Sequence, residues 1–447
     1  MLETIRNSFK IPDLRRRILF TLMMLIVFRF GAALPVPFLN AEAMKAFLEA
    51  GSSMDLFNLF DTFTGGAFQN ATVLALGVSP YINASIIIQL LTVAIPSLER
   101  LSKEGVEGRK KINKITRYVG IVLAIIQGAG LYVTLQNMGV NAIQNPGVLS
   151  FAVIVLTFTA GTAFIVWLGE LITEKGLGNG VSMIIFAGIV SRIPTAANSI
   201  FKTYVMEGGS FSAMGTVWAV AILAVAIAAI AFVVLFTDAE RRIPVQYAKR
   251  VVGRKMYGGQ STNIPIKVAA GGVMPIIFAS SIMAFPSTIV RLLKGGTVPS
   301  TGVGGTILNC LSTQGPIWTT VVYGVLYFLL IIFFTYFYST IQFNPIEMSN
   351  NIKKSGGYIP GIRPGKPTSD YLSKITSRLN LIGSIFLGII AVLPIIIGAV
   401  TGNQSLQIGG TSLLIMVGVA LETVQQMESQ MVMRHTRDFW NNRQIIT

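Results

Sequence analysis

The chain has 447 residues, of which 52% are hydrophobic and only 12% are charged. Because soluble domains carry about 25% charged residues, this composition excludes a soluble protein and indicates a polytopic membrane protein. A single cysteine, Cys310, and a single histidine, His435, exclude an internal disulfide and argue against a Cys/His metal site.

The first apolar segment, from Ile18 to about Ala33, follows three arginines but resembles a membrane anchor more than a removable signal. Glu3 and Asp13 are unusual for the charged region of a signal peptide, and no cleavage site follows. A membrane helix needs about 20 apolar residues. Ten segments meet this need: 18–36, 76–96, 117–136, 151–172, 181–201, 215–237, 270–292, 318–340, 378–400 and 409–427.

The stretch from Leu56 to Leu76 is moderately apolar but contains Asp61, glycines and amides. Together with the next segment it would be about 40 residues long, which is too long for one crossing. We expect a half-helix that dips into the membrane and stays within a protein-lined cavity, because irregular backbone must be shielded from lipid.

Basic residues alternate between the two sides of the predicted spans. The segments on the side of both termini hold 29 of the 35 lysines and arginines. The positive-inside rule therefore places both termini in the cytoplasm, and it accounts for most of the net charge of +16 without a nucleic-acid partner.

One phrase occurs twice in the chain. Residues 77–87 read GVSPYINASII and residues 272–282 read GVMPIIFASSI, with seven of eleven positions identical. A second, shorter match, G-x-S-x-x-I, opens the fifth span at Gly180 and the tenth at Gly410. Five spans in each half predict inverted repeats, and Gly/Pro-interrupted spans in matching places point to a transport path at the repeat interface.

No catalytic, cofactor or metal site is predicted. The chain lacks H-E-x-x-H, a Ser–His dyad cannot be built around one histidine in the polar tail, and residues 176–180 fit a helix-start turn better than a phosphate loop. The spans are nearly free of ionisable residues, which argues against an ion-coupled transporter.

Isoleucines occupy equivalent positions in the repeats. An aliphatic ring could close a central path by expelling water, whereas for any single isoleucine ordinary helix packing remains the alternative. The candidate ring residues are Ile82, Ile86, Ile185, Ile189, Ile277 and Ile415.

Uncharged polar side chains in the second and third spans have two interpretations. They could be hydrogen-bond links between helices, worth about 0.6 kcal/mol each, or a weakly held seam where helices part. These residues include Ser85, Gln89, Thr92 and Gln127.

Several long motifs resemble the SecY family of bacterial protein-conducting channels. The most specific is residues 353–365, which read KKSGGYIPGIRPG. The others are ASIIIQLL at 84–91, EKGLGNG at 174–180, RIPVQYAKR at 242–250 and GGTSLLI at 409–415. The resemblance runs from the first span into the tail.

The resemblance implies an all-α fold of ten transmembrane helices in two inverted halves around an hourglass pore, with residues 1–205 and 206–430 as the halves and 431–447 as a cytosolic tail. It implies that the six isoleucines form the pore ring. It also implies a plug at about residues 57–70, including Phe57, Phe60, Phe63, Gly65, Gly66 and Phe68. A lateral gate would include the four polar residues above with Ser280 and Ser281.

The resemblance further implies docking of the ribosome, including its RNA, and of the motor ATPase SecA on the loops 238–268 and 341–377. The expected contact residues are Lys249, Arg250, Arg254 and Arg363. Positive charge there also satisfies the positive-inside rule, so both interpretations stay open.

The expected function is non-enzymatic translocation of unfolded, signal-bearing polypeptides across the bacterial plasma membrane, or into its lipids, with SecE and SecG as membrane partners. A small-solute carrier with the same symmetry, which needs an occluded polar site, and a scaffold without any path are the alternatives.

Overall fold

The computed structural model describes residues 6, 8–49, 61, 64–137, 142–201, 213–247, 250–252, 255–257, 261–268, 271–293, 303–311, 317–401 and 405–444. The fold is mostly helical. The helices are α1 (Pro12–Gly31), α2 (Ala41–Glu49), α3 (Ser79–Ala94), α4 (Pro96–Lys103), α5 (Val106–Asn137), α6 (Val148–Lys175), α7 (Gly180–Ile200), α8 (Ala213–Thr237), α9 (Met274–Leu293), α10 (Val303–Cys310), α11 (Ile317–Gln342), α12 (Pro345–Lys354), α13 (Lys366–Thr401) and α14 (Ser405–Gln444).

A helix lies at each of the ten predicted spans. Four of the described helical stretches are long and apolar enough to cross a membrane: Val106–Asn137, Val148–Lys175, Ile317–Lys354 and Lys366–Ile396. A fifth crossing is reached if α3 and α4, which meet at a bend of 100°, count as one span. Pro96 explains this bend, because proline restricts the preceding residue to extended backbone and Ile95 has φ −108° and ψ 115°.

The described residues divide into two compact units. The first comprises Met1–Leu223, Ser281–Thr320 and Ile415–Thr447, and the second comprises Ala224–Ser280 and Val321–Leu414. The predicted boundary between halves at 205/206 stays a prediction.

In the first unit, α5 packs against α3 and α6, and α6 packs against α1 and α7. Glycines allow close helix approach, as is typical of membrane helices. A Cβ atom at Gly120 of α5 would lie 3.5 Å from the Tyr81 Cα of α3, and one at Gly128 would lie 3.7 Å from the Phe158 Cβ of α6.

Residues 64–78, here called the turn segment, connect the expected plug region to α3. Asp61 and Thr64 are helical, and beyond Thr64 the backbone forms successive turns, so within the described residues the helical part of the expected half-helix ends at Thr64. Gly65 and Gly66 explain this end, since both adopt positive φ (67° and 88°), which an L-residue helix does not allow. The Val36 N–H donates to the Ala71 carbonyl at 2.9 Å, which ties the segment to the chain after α1.

The second unit contains a small sheet that the all-α expectation omitted. The strands are β1 (Glu240–Tyr247), β2 (Arg250–Val252), β3 (Lys255–Tyr257), β4 (Ser261–Lys267) and β5 (Gly357–Tyr358). β1 is central in an antiparallel sheet of order β4-β1-β5, and β2 pairs with β3 as a separate hairpin. The inward positions of β1, Ile243 and Val245, are buried against Ile352 of α12 and Leu372 of α13.

Gly161 of α6 provides a test of this packing. A Cβ atom there would lie 2.0 Å from the Val73 carbonyl oxygen of the turn segment, so backbone would have to move. We expect Gly161→Ala to destabilise the protein by about 1–3 kcal/mol through overpacking, despite alanine's higher helix propensity.

The matched control is Gly128→Ala in α5, where the nearest atoms would lie at ordinary contact distances of 3.7–3.8 Å. The measurement is the midpoint temperature of unfolding in detergent, read from the loss of the monodisperse gel-filtration peak as the protein is heated. Equal midpoints for the two variants would contradict the close approach of α6 and the turn segment.

Candidate functional site

The two copies of the repeated phrase have the same local structure. Gly77 and Gly272 both adopt left-handed backbone, with φ 56° and 58°. A helix begins two residues later in each copy, α3 at Ser79 and α9 at Met274, with proline as its second residue. Proline is favoured in the first turn, where its missing N–H is not needed. The internal repeat is therefore structural as well as sequential.

The equivalence extends to the first candidate ring residue of each copy. The Ile82 N–H donates to the Val78 carbonyl at 3.0 Å, and the Ile277 N–H donates to the Val273 carbonyl at 3.2 Å. Each isoleucine is thus the fourth residue of its helix, at the end of the first turn.

All six candidate ring isoleucines are buried. Ile86 follows Ile82 on one face of α3, and Ile189 follows Ile185 on one face of α7, because residues four apart lie on the same helix face. The exposed fractions lie between 1% and 7%: Ile82 7%, Ile86 4%, Ile185 2%, Ile189 6%, Ile277 3% and Ile415 1%. Their common role in a ring stays a prediction.

The second repeat pair matches less closely than expected. Gly180 does open α7, whose start is capped by the Asn179 side chain accepting from the Val181 and Ser182 N–H groups at 3.1 and 3.4 Å. Gly410, in contrast, lies inside α14, which begins at Ser405. The two serines of the pattern, Ser182 and Ser412, are both buried.

Of the expected plug residues, Gly65, Gly66 and Phe68 are described, whereas Phe57, Phe60 and Phe63 lie outside the described residues. Phe68 is 1% exposed and belongs to a hydrophobic cluster with Leu131, Tyr132 and Phe158. Asp61, Thr64, Gly65 and Ala67 are also buried, whereas Asn70 is exposed, so the described part of the plug region is largely buried in the protein.

A buried ion pair that sequence reasoning missed fixes the start of this region. The Asp61 carboxylate, whose side chain is 4% exposed, accepts a hydrogen bond from the Arg192 guanidinium of α7. Its other oxygen accepts from the Gln69 N–H at 2.7 Å. The available signal was a single charge in each of two otherwise apolar segments, Asp61 in the 56–76 stretch and Arg192 among the six basic residues outside the 29 counted on the side of the termini.

The expected gate residues make hydrogen bonds within their own helices. The Gln89 amide donates to the Ser85 hydroxyl at 3.1 Å, and the Thr92 hydroxyl donates to the Ile88 carbonyl at 2.7 Å. In α9 the Ser280 hydroxyl donates to the Ile277 carbonyl at 2.9 Å, and its neighbour Ser281 is half-buried.

Two amide oxygens of this polar set have no hydrogen-bond donor. The buried Oε1 atoms of Gln89, on α3, and Gln127, on α5, are without a partner among the described residues. Buried acceptors without donors hold helices together weakly. The role of this polar set in a gate stays a prediction.

The loop that carries Arg363 is exposed, and hydrogen bonds hold its turns. Gly361 and Gly365 adopt positive φ (81° and 102°), and the Ile362 N–H donates to the Ile359 carbonyl at 3.0 Å. The Thr368 hydroxyl donates to the Arg363 carbonyl at 2.9 Å. The Arg363 side chain is thus presented from a fixed turn.

The sheet joins this loop to the other predicted docking loop. The Tyr358 hydroxyl of β5 donates to the Gln246 side chain of β1 at 3.0 Å, so the segments 238–268 and 341–377 form one small domain. Lys249 and Arg254 lie outside the described residues, and Arg250 begins β2.

Comparisons with known proteins agree with this architecture. The SecY family model matches residues 72–424. The chain is 47% identical over 442 residues to the protein translocase subunit SecY of Halalkalibacterium halodurans, covering 98% of this chain and 100% of that protein. It is 46% identical over 446 residues to the Bacillus subtilis subunit, covering 99% and 100%.

Solved structures share the fold at lower identity. A protein-conducting channel superposes with a TM-score of 0.66 at 20% identity, covering 94% of this chain and 93% of that one. A SecY protein whose plug domain stabilises the closed channel gives 0.69 at 19% identity, covering 94% and 92%. Canine Sec61 from a ribosome–channel complex gives 0.62 at 19% identity, covering 94% and 93%. The chain is 46–47% identical to bacterial SecY subunits over nearly its full length, and the SecY family model spans most of its residues. The chain therefore belongs to the SecY family.

Proposed function

We propose that the protein is a channel that translocates unfolded polypeptides across the bacterial plasma membrane and inserts membrane proteins into its lipid. The main support is that the chain is 46–47% identical, over nearly its whole length, to relatives named protein translocase subunits. The relatives carry translocase names and the structural neighbours are channels, so neither a small-solute carrier nor a scaffold is supported.

In this proposal the ten helices at the predicted spans cross the membrane with both termini in the cytoplasm, in two inverted halves. Burial of all six isoleucines supports a pore ring, because residues that pack toward lipid would be exposed in this chain. A ring of branched aliphatic side chains excludes water and ions at rest and yields to a passing chain without binding it chemically.

The plug and the gate follow from the same arrangement. Burial of Asp61, Thr64 and Phe68 in the plug region supports closure of the path at rest. The unpartnered amide oxygens of Gln89 and Gln127 support a seam that has α3 and α5 on one side and α9, with Ser280 and Ser281, on the other, where a signal sequence would intercalate.

The driving force comes from partners. We assign the ribosome and the SecA ATPase to the cytosolic domain around Arg363, because its exposed cation lies on a hydrogen-bonded turn, and phosphate contacts would suit ribosomal RNA. SecE and SecG are proposed as bracing membrane subunits. The chain itself performs no catalysis.

Cross-linking tests the path. Photoreactive residues replacing Ile82 and Ile277 should form adducts with a stalled secretory chain, because the substrate must pass the ring. The control probe replaces Leu156 of α6, which is 65% exposed, and should give no adduct. Adducts at Leu156 but at neither isoleucine would contradict the channel.

Polar substitution tests the ring. Ile277→Asn and Ile415→Asn should raise resting ion leak by about tenfold, because a polar side chain stabilises water in the constriction. Ile277→Val, which keeps the ring apolar, is the matched control. The measurement is ion conductance of the reconstituted complex in planar bilayers; unchanged conductance in both asparagine variants would remove these residues from the seal.

Charge reversal tests docking. Arg363→Glu should lower SecA-driven translocation by about tenfold or more, as expected when a charge-assisted contact becomes repulsive, while resting ion leak stays unchanged. Lys114→Glu, at an exposed position of α5, is the control. Equal translocation rates for the two variants would contradict the assignment of Arg363 to docking.

A further inference from the structure

Asp61 is a buried acid in the segment that the proposed channel must move. Its side chain is only 4% exposed, and a carboxylate in such a place requires a charged partner. Arg192 of α7 provides that partner although it lies 131 positions away in the chain. The Gln69 N–H donates to the second carboxylate oxygen at 2.7 Å. Asp61 therefore connects two parts of the plug region to each other, and it also connects the region to α7.

A second arginine holds the same region four residues further on. The Arg29 guanidinium, at the end of α1, donates to the Gly65 carbonyl at 2.8 Å. Gly65 also lies directly on α7, since a Cβ atom there would be 2.6 Å from the Ser191 hydroxyl and 2.9 Å from the Gly188 carbonyl. Two cations from separate helices thus converge on five residues of the plug region.

The helix face that receives the plug is the face that carries two of the candidate ring residues. Ile185, Ile189 and Arg192 are spaced i, i+4 and i+7, so they lie in one stripe along α7. Arg192 is about one turn beyond Ile189. The ion pair therefore lies next to the proposed constriction, where movement of the plug would have to break it.

We propose that Asp61 and Arg192 form an ionic latch that holds the plug region on α7 and sets how strong a signal sequence must be to open the channel. This role rests on the proposed translocation function. A signal sequence opens a two-state channel only by binding the open state better than the closed one. Each contact that exists only in the closed state raises the differential affinity that the signal must supply.

The two partners differ in exposure, which makes the latch asymmetric. Arg192 is 32% exposed and can turn toward water when it is alone, whereas Asp61 at 4% exposure cannot. Removing one partner of a buried pair leaves an uncompensated charge. Loss of the arginine should therefore disturb the closed state more than loss of the acid.

The experiment is a double-mutant cycle on the reconstituted channel. Arg192→Gln should raise resting ion leak by about tenfold, because Asp61 is left buried and unpaired. Asp61→Asn should raise it less, since its amide oxygen still accepts from the Gln69 N–H. The double variant should match Asp61→Asn alone, because paired residues are not additive. We expect the variants to rank in the same order by their rate of translocation of a preprotein with a shortened signal sequence.

The control is Glu170→Gln, which breaks the exposed interhelical pair of Glu170 with Arg117, whose atoms approach to 2.6 Å. It should leave leak and signal stringency unchanged. Unchanged leak in Asp61→Asn, or leak increases that multiply in the double variant, would overturn the latch; Asp61→Asn decides this even if Arg192→Gln does not fold. The measurement of resting ion leak needs no substrate. Failure of the wild-type protein to translocate would therefore refute the proposed function and leave the latch separately testable.

Discussion

The structure depends on satisfying the backbone of a non-helical segment inside an apolar protein. A membrane interior offers no water to unpaired N–H and C=O groups, so turns at that depth need partners from the protein. In the turn segment the partners are its own neighbours and the chain after α1: the Gly66 N–H donates to the Asp61 carbonyl at 2.8 Å, and the Val73 N–H donates to the Leu34 carbonyl at 3.0 Å. The Thr72 hydroxyl donates to the Ala67 carbonyl at 2.9 Å.

That constraint accounts for the composition of the segment. Glycine supplies left-handed turns at Gly65 and Gly66, threonine supplies short-range donors, and Asp61 accepts where a turn leaves the Gln69 N–H unpaired. The apolar residues between them, such as Phe68, pack on the surrounding helices. A continuous apolar helix would satisfy its own backbone, but it would bind its neighbours only through packing.

Helix positions were predictable from the sequence because apolar runs of about 20 residues have few alternatives. The two copies of the repeated phrase have matching φ values at Gly77 and Gly272, whereas the inverted arrangement of the halves stays a prediction. The sheet of the second unit was missed although the inward alternation of Ile243 and Val245 in β1 signals a half-buried strand. The pairing of Asp61 with Arg192 could not be predicted, since no local periodicity relates residues so far apart.

Aliphatic side chains and charged side chains contribute differently to a closed channel. Packing between isoleucines is non-directional, so a ring such as the proposed one excludes ions but does not specify where a mobile segment must rest. A buried ion pair is directional, and its cost when broken penalises other positions of that segment. One stripe of α7 carries the aliphatic Ile185 and Ile189 and the charged Arg192. The same helix would therefore seal the path and define the resting position of the plug.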